Sequence, residues 1–317
     1  MCATLRVIRG TRSRGDENMC DDATEAENEV HFRSKLNRRD VALGAGATLA
    51  ALITGCPDPA ASHQQGPSPS KSMTVTSKMV TVATPDGSAE AFFVAPKQGA
   101  RPGVIMWPDV AGLRDTFKTM ATHLAEQGFA VLCVNPYYRS AKLPILSRFA
   151  DWQTEEGKAK IAPLRAALTP EAVTRDAIAL TSFLDQQAEV DTTRKLAALG
   201  YCMSGAFAIR AAAAKPSRLG LFASFHGGGL VSQEPSSPHL LLGQTKAAAL
   251  ICIAQNDDAR APEDKVVLQK AAKQAGIPAE IEVYPAQHGW CVLDAPVYDA
   301  AQAERAWARL LVALGNL

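Results

Sequence analysis

Three short stretches of the chain carry side chains that could transfer an acyl group. The first is Leu199-Gly200-Tyr201-Cys202-Met203-Ser204-Gly205. The short run Arg194 to Leu199 reads as a buried parallel strand leading into a turn, and Ala206 to Ala214 is rich in strong helix formers. A nucleophile between a strand and a helix, with glycine two before and three after, is close to the nucleophile elbow, whose strained backbone tolerates only small neighbours. The second stretch is Asn256-Asp257-Asp258, after the apolar run Leu250 to Ala254, and the third is Gln287-His288-Gly289, after Glu280 to Tyr284. Nucleophile, acid and histidine thus follow one another in chain order. The histidine would take the thiol proton, and one of the two aspartates would fix its tautomer and stabilise the imidazolium. A helix N-terminus behind Cys202 would favour the thiolate.

The intervening segments supply the elements that must hold these residues. Val75 to Ala83 and Ala89 to Ala95 read as strands of a hairpin turned at Thr84-Pro85-Asp86-Gly87-Ser88. Gly103 to Trp107 is a third strand. Phe117, Met120, Ala121 and Leu124 then recur at helical spacing as far as Gln127-Gly128, and Phe129 to Val134 is a fourth strand. Tyr137 to Leu168 is mixed in composition and reads as an insertion or partly helical loop over one edge of the site. Thr169-Pro170-Glu171 opens a helix with a cap residue, a first-turn proline and an acid. Further strands at Leu221–Phe225, Leu250–Ala254 and Glu280–Tyr284 alternate with helices over Pro262 to Ala275 and about Ala300 to Leu314. Such alternation predicts an α/β architecture: one domain, with right-handed crossovers and a mostly parallel sheet covered by helices on both faces. Function in such a sheet sits in the loops at the carboxyl ends of the strands, where all three stretches fall.

Gly200-Tyr201-Cys202-Met203-Ser204-Gly205, the Asp258-x-x-x-Pro262 spacing and Tyr284-Pro285-Ala286-Gln287-His288-Gly289 together resemble the dienelactone hydrolase family, over about Met73 to Leu317. The resemblance implies an α/β-hydrolase fold and a Cys-His-Asp triad of Cys202, His288 and Asp258, the last chosen because it stands four residues before Pro262. It implies an oxyanion hole from the backbone N–H groups of Met203 and Val110, cleavage of small esters or lactones through a thioester, and no cofactor. The family's early loop carries a glutamate that pairs with the resting thiol, where this chain has Asp109. An arginine four residues after the histidine holds the substrate carboxylate in the best-known members, where this chain has Val292. Arg139 matches a second carboxylate-binding arginine, so Asp109 and Arg139 are expected at the substrate. Ser204 stands where the family commonly has glycine.

Composition narrows the alternatives. The 317 residues are 47% hydrophobic with a formal net charge of +1, and no basic stripe with interleaved aromatics is present, which argues against a nucleic-acid partner. The seven cysteines show neither C-x-x-C spacing nor partnered histidines, so neither a metal site nor a disulfide framework is expected. Cys133 and Cys252 lie inside apolar strands and read as core residues. His226 reads as a turn residue ahead of Gly227-Gly228-Gly229. Residues 1–55 read as an export signal: Asn37-Arg38-Arg39-Asp40 resembles a twin-arginine motif, and Val41 to Thr54 is an uncharged run too short to span a bilayer comfortably. Ile53-Thr54-Gly55-Cys56 resembles a lipobox, which would place a lipid anchor at Cys56 and the protein in the cell envelope, periplasmic or membrane-anchored. Residues 56–72, rich in Pro, Ser, Gln and Ala, read as a flexible tether, and 73–317 as the catalytic domain. The competing reading keeps the fold but makes the chain a non-catalytic or redox-sensing envelope protein.

Overall fold

A computed structural model describes residues 72–317 of the chain. The export signal, the lipobox cysteine Cys56 and the tether up to residue 71 lie outside the described residues. Strands β1 (Val75–Thr84) and β2 (Gly87–Pro96) form an antiparallel hairpin turned at Pro85-Asp86, with Gly87 at φ +134°. Strand β2 pairs antiparallel with β4 (Ala130–Val134). From there the sheet is parallel through β3 (Gly103–Trp107), β5 (Leu196–Tyr201), β6 (Leu219–Phe225), β7 (Ala248–Ala254) and β8 (Ala279–Tyr284). The spatial order of the eight strands is 1-2-4-3-5-6-7-8.

Every residue of β3, β4 and β5 is buried, as expected of central strands covered on both faces. Alternate residues feed two cores. Leu196 and Ala198 of β5 join one cluster, and Ala197, Leu199 and Tyr201 join the other. The first cluster is closed by helices α4 (Pro170–Leu184), α5 (Gly205–Ala214) and α7 (Asp264–Ala275); the second by α1 (Asp115–Glu126) and α8 (Ala300–Leu314). Helix α1 shows why: Phe117, Ala121, Leu124 and Ala125 line one stripe, and burial of Phe117 and Leu124 stabilises the domain by about 1.5–3 kcal/mol each. Thr169 caps α4 by accepting the Ala172 N–H at 3.2 Å, with Pro170 in the first turn.

The mixed segment after β4 forms two helices, α2 (Phe149–Trp152) and α3 (Glu155–Ala166). Trp152, Ile161 and Leu164 share a buried cluster with Val110, Ala111, Tyr137 and Cys202, so the segment roofs the elbow. Arg139, expected at the substrate, is committed elsewhere. Its guanidinium donates to Asp86 Oδ2 at 2.7 Å, to Asp176 Oδ1 at 2.6 Å and to the Ala172 carbonyl at 3.1 Å. It thereby ties the β1–β2 turn to α4. The assignment of Arg139 to substrate binding is corrected accordingly: two carboxylates already neutralise it.

Candidate active site

The elbow is built as its sequence requires. Cys202 follows β5 at φ +57°, a left-handed conformation that costs an L-residue of order 1–3 kcal/mol and persists only where its surroundings enforce it. The enforcement is steric and polar. A Cβ on Gly200 would lie 1.9 Å from the Ser204 carbonyl oxygen; one on Gly205 would lie 2.3 Å from Ser224 Oγ and 2.7 Å from Gly227 Cα. Ser204 is fully buried, and its hydroxyl accepts the Tyr201 N–H at 2.9 Å. The same oxygen lies 2.8, 2.7 and 2.9 Å from the carbonyls of Trp107, Pro108 and Tyr201, and its single proton serves one of these at a time. The replacement of the family's glycine by Ser204 thus pins the elbow to the end of β3. Cys202 is 2% exposed.

His288 lies in the loop after β8, 5% exposed, with Nδ1 2.7 Å from Asp257 Oδ2. Its backbone N–H donates to Asn256 Oδ1 at 2.8 Å. The expected acid, Asp258, is not the one that meets the histidine: both its oxygens accept from Lys265 Nζ at 2.7 Å. The physical reason is that residues after β7 wind into a short helix, α6 (Gln255–Arg260), rather than a loop. Successive helical residues point about 100° apart, so only one of two adjacent aspartates can face the histidine. Asp257 faces inward, and Asp258 faces α7. The spacing to Pro262 carries no information about that rotation.

The early loop also departs from expectation. Asp109 is buried and bidentate to Arg114, Oδ1 to Nη1 at 2.7 Å and Oδ2 to Nη2 at 2.9 Å, and its Oδ1 also accepts the Ala111 N–H at 3.0 Å. The expectation that Asp109 serves the substrate is therefore corrected. Burial works against the charge of Arg114, but Asp109 and Asp294 outweigh it and hold the guanidinium above its ordinary range. Val110, between Asp109 and Ala111, has its carbonyl held by the Tyr137 hydroxyl at 2.7 Å. Met203 follows Cys202 in a single 3₁₀ turn, Cys202–Ser204, that runs into α5. Val292 is fully buried where the family's best-known members carry their arginine.

His226 is the residue whose importance the sequence understates. It sits at φ +41° after β6, 1% exposed, with its ring centroid 4.7 Å from that of His288 and 5.4 Å from that of Trp290. Neither ring nitrogen has a hydrogen-bond partner among the described residues. Burial, and after it the proximity of His288, pushes its pKa well below the ordinary value, so the ring is neutral. The one signal was the Phe225-His226-Gly227 strand-to-glycine junction, which an ordinary turn shares. Cys133 and Cys252 are free and buried, as their apolar surroundings predict. Among the described residues no group of three or more His, Cys, Asp or Glu side chains could hold a metal ion.

With the geometry in place, comparison with known proteins becomes specific. The model of the Dienelactone hydrolase family matches residues 89–317. A protein of Escherichia coli (strain K12), named as a candidate carboxymethylenebutenolidase, is 24% identical over 273 residues, covering 84% of this chain and 92% of its own. A protein of Bradyrhizobium sp., named a probable 2-oxo-3-(5-oxofuran-2-ylidene)propanoate lactonase, is 27% identical over 187 residues, 58% of this chain and 71% of its own. In fold, a dienelactone hydrolase-like promiscuous phosphotriesterase from metagenomic libraries superposes with a TM-score of 0.62 at 23% identity, over 77% of this chain and 98% of its own. The eight-stranded sheet, the elbow and the family match agree: the chain belongs to the dienelactone hydrolase family and is a hydrolase of that α/β type.

Proposed function

We propose that the protein hydrolyses small esters or lactones through a thioester on Cys202, with His288 as general base and Asp257 as its orienting acid. The observation that carries this reading is the buried 2.7 Å Asp257–His288 pair beside an elbow whose nucleophile position, at φ +57°, holds Cys202. In the reduced enzyme His288 takes the thiol proton, and Cys202 Sγ attacks the carbonyl carbon. The backbone N–H groups of Met203 and Val110 receive the developing oxyanion. The alcohol leaves with the proton from His288; water, deprotonated by the same histidine, then cleaves the thioester. No step calls for a cofactor.

Specificity follows from where the arginines are. Arg139 and Arg114 are each bound to two carboxylates, and Val292 is apolar. A substrate carboxylate would therefore compete with built-in anions, which favours neutral acyl groups. The test is intact-mass analysis of enzyme quenched during turnover, in the presence of a thiol reductant, with a neutral and a carboxylate-bearing nitrophenyl ester of equal length. An acyl adduct on the Cys202 peptide is expected, with kcat/KM about tenfold or more in favour of the neutral ester. Turnover with no adduct on Cys202 in any quenched sample, together with turnover that survives alkylation of that thiol, would overturn the mechanism. Equal kcat/KM would overturn the specificity alone.

A second reading makes Cys202, at the start of a helix, a redox-responsive thiol. Hydrolysis in the reductant-treated enzyme separates the two, because a purely redox role gives none. We also propose that the chain is exported and acylated at Cys56. The support is the order Arg38-Arg39, apolar run, Ile53-Thr54-Gly55-Cys56. Mass analysis of membrane-extracted protein should find a chain that begins at Cys56 with added acyl mass; a mature product retaining residue 55 would contradict it.

A further inference from the structure

The Arg114 side chain is 1% exposed, and all five of its N–H groups are used. Nη1 donates to Asp109 Oδ1 at 2.7 Å and to the Gly112 carbonyl at 3.2 Å. Nη2 donates to Asp109 Oδ2 at 2.9 Å and to Asp294 Oδ1 at 2.7 Å, and Nε to Asp294 Oδ2 at 2.8 Å. One guanidinium thus holds two carboxylates from opposite ends of the domain sequence. Asp109 immediately precedes Val110, and its Oδ1 also takes the N–H of Ala111 at 3.0 Å, so this carboxylate brackets the Val110 peptide on both sides. Asp294 lies six residues beyond His288 and also accepts the N–H of Phe149, in the roof, at 3.0 Å.

A buried ion cluster of this kind is a poor device for stability, because desolvation offsets much of the attraction. It is a good device for geometry. The planar fork of arginine fixes the mutual position of two carboxylates as a lysine ammonium cannot. Three segments meet on Arg114: the loop carrying Val110, the loop carrying His288, and the roof over Cys202.

We propose that Arg114 and Asp294 are positioning residues that set the Val110 N–H as an oxyanion donor and register it against the His288 loop. The inference rests on the reading of Val110 as that donor. An error of about 1 Å in such a donor costs on the order of 100-fold in rate, so the cluster's contribution belongs to the transition state rather than to substrate binding.

The test compares full-length reduced wild type with Asp294→Asn, using a neutral nitrophenyl ester and its thionoester, whose C=S sulfur is a weak hydrogen-bond acceptor. Asp294→Asn is expected to lower kcat for the oxoester about tenfold to 100-fold with KM within about twofold. The oxoester-to-thionoester rate ratio should fall with it. Arg114→Lys, which keeps the charge but loses the fork, should show the same pattern, and it is the variant to read if Asp294→Asn does not fold. A folded variant with wild-type kcat, or with a lowered kcat and an unchanged ratio, overturns the positioning role. Failure of the wild type to prefer the oxoester would instead remove the oxyanion reading on which the proposal stands.

Discussion

Cys202→Ala is expected to lower ester hydrolysis by about 10⁴-fold or more while leaving the fold intact. Removing a nucleophile abolishes the covalent route and leaves only the residual rate that binding and the oxyanion hole supply. The substitution removes one buried sulfur at the roof of the elbow and relieves none of the contacts that enforce φ +57°, so circular dichroism and Tm should stay close to wild type. The measurement is initial rate with a short nitrophenyl ester in the presence of reductant, for enzyme whose other thiols are counted. Hydrolysis within tenfold of wild type would mean that Cys202 is not the nucleophile, whatever its position.

Asp257→Asn is expected to reduce kcat by about 10⁴-fold, because an amide opposite Nδ1 stabilises the wrong tautomer of His288 and cannot balance an imidazolium. Asp258→Asn should change kcat by less than about twofold. It breaks an ion pair to Lys265 in which both side chains are partly exposed, and such pairs contribute about 0–1 kcal/mol to stability. The two variants differ by one residue and carry the same chemical change, so each controls for the other. Comparable losses in both, or a larger loss at 258, would show that the acid is not set by the geometry at His288.

Much of the architecture was legible because it depends on local chemistry. The apolar runs of β3, β4 and β5, the capped start at Thr169 and the glycines around Cys202 each dictate one backbone outcome. The elbow in particular could be read residue by residue, since its steric demands exclude nearly everything else at positions 200 and 205. The acid could not. Choosing between Asp257 and Asp258 needs the helical phase of α6, which is set by tertiary contacts of β7 and β8 rather than by the spacing to Pro262. The reading of Arg139 failed for a related reason: it is neutralised by Asp86 and Asp176, which stand far away in sequence. His226 reads as a turn residue in the sequence because its ring contact with His288 leaves no pattern in the chain.

Ser204 bears on what kind of hydrolase this can be. Two side chains of the nucleophilic type stand two residues apart in one tight turn, and the hydroxyl is as deeply placed as the thiol. Intrinsic reactivity favours the thiol, and prior engagement further disfavours the hydroxyl. The Ser204 oxygen is ringed by one backbone N–H and three carbonyls from the ends of β3 and β5. To attack a carbonyl carbon it would have to let go of those groups, and in doing so it would dismantle the turn that presents Cys202. The hydroxyl is held for structure, so on the mechanism proposed above the Cys202 sulfur, and not the Ser204 oxygen, is the group left to react.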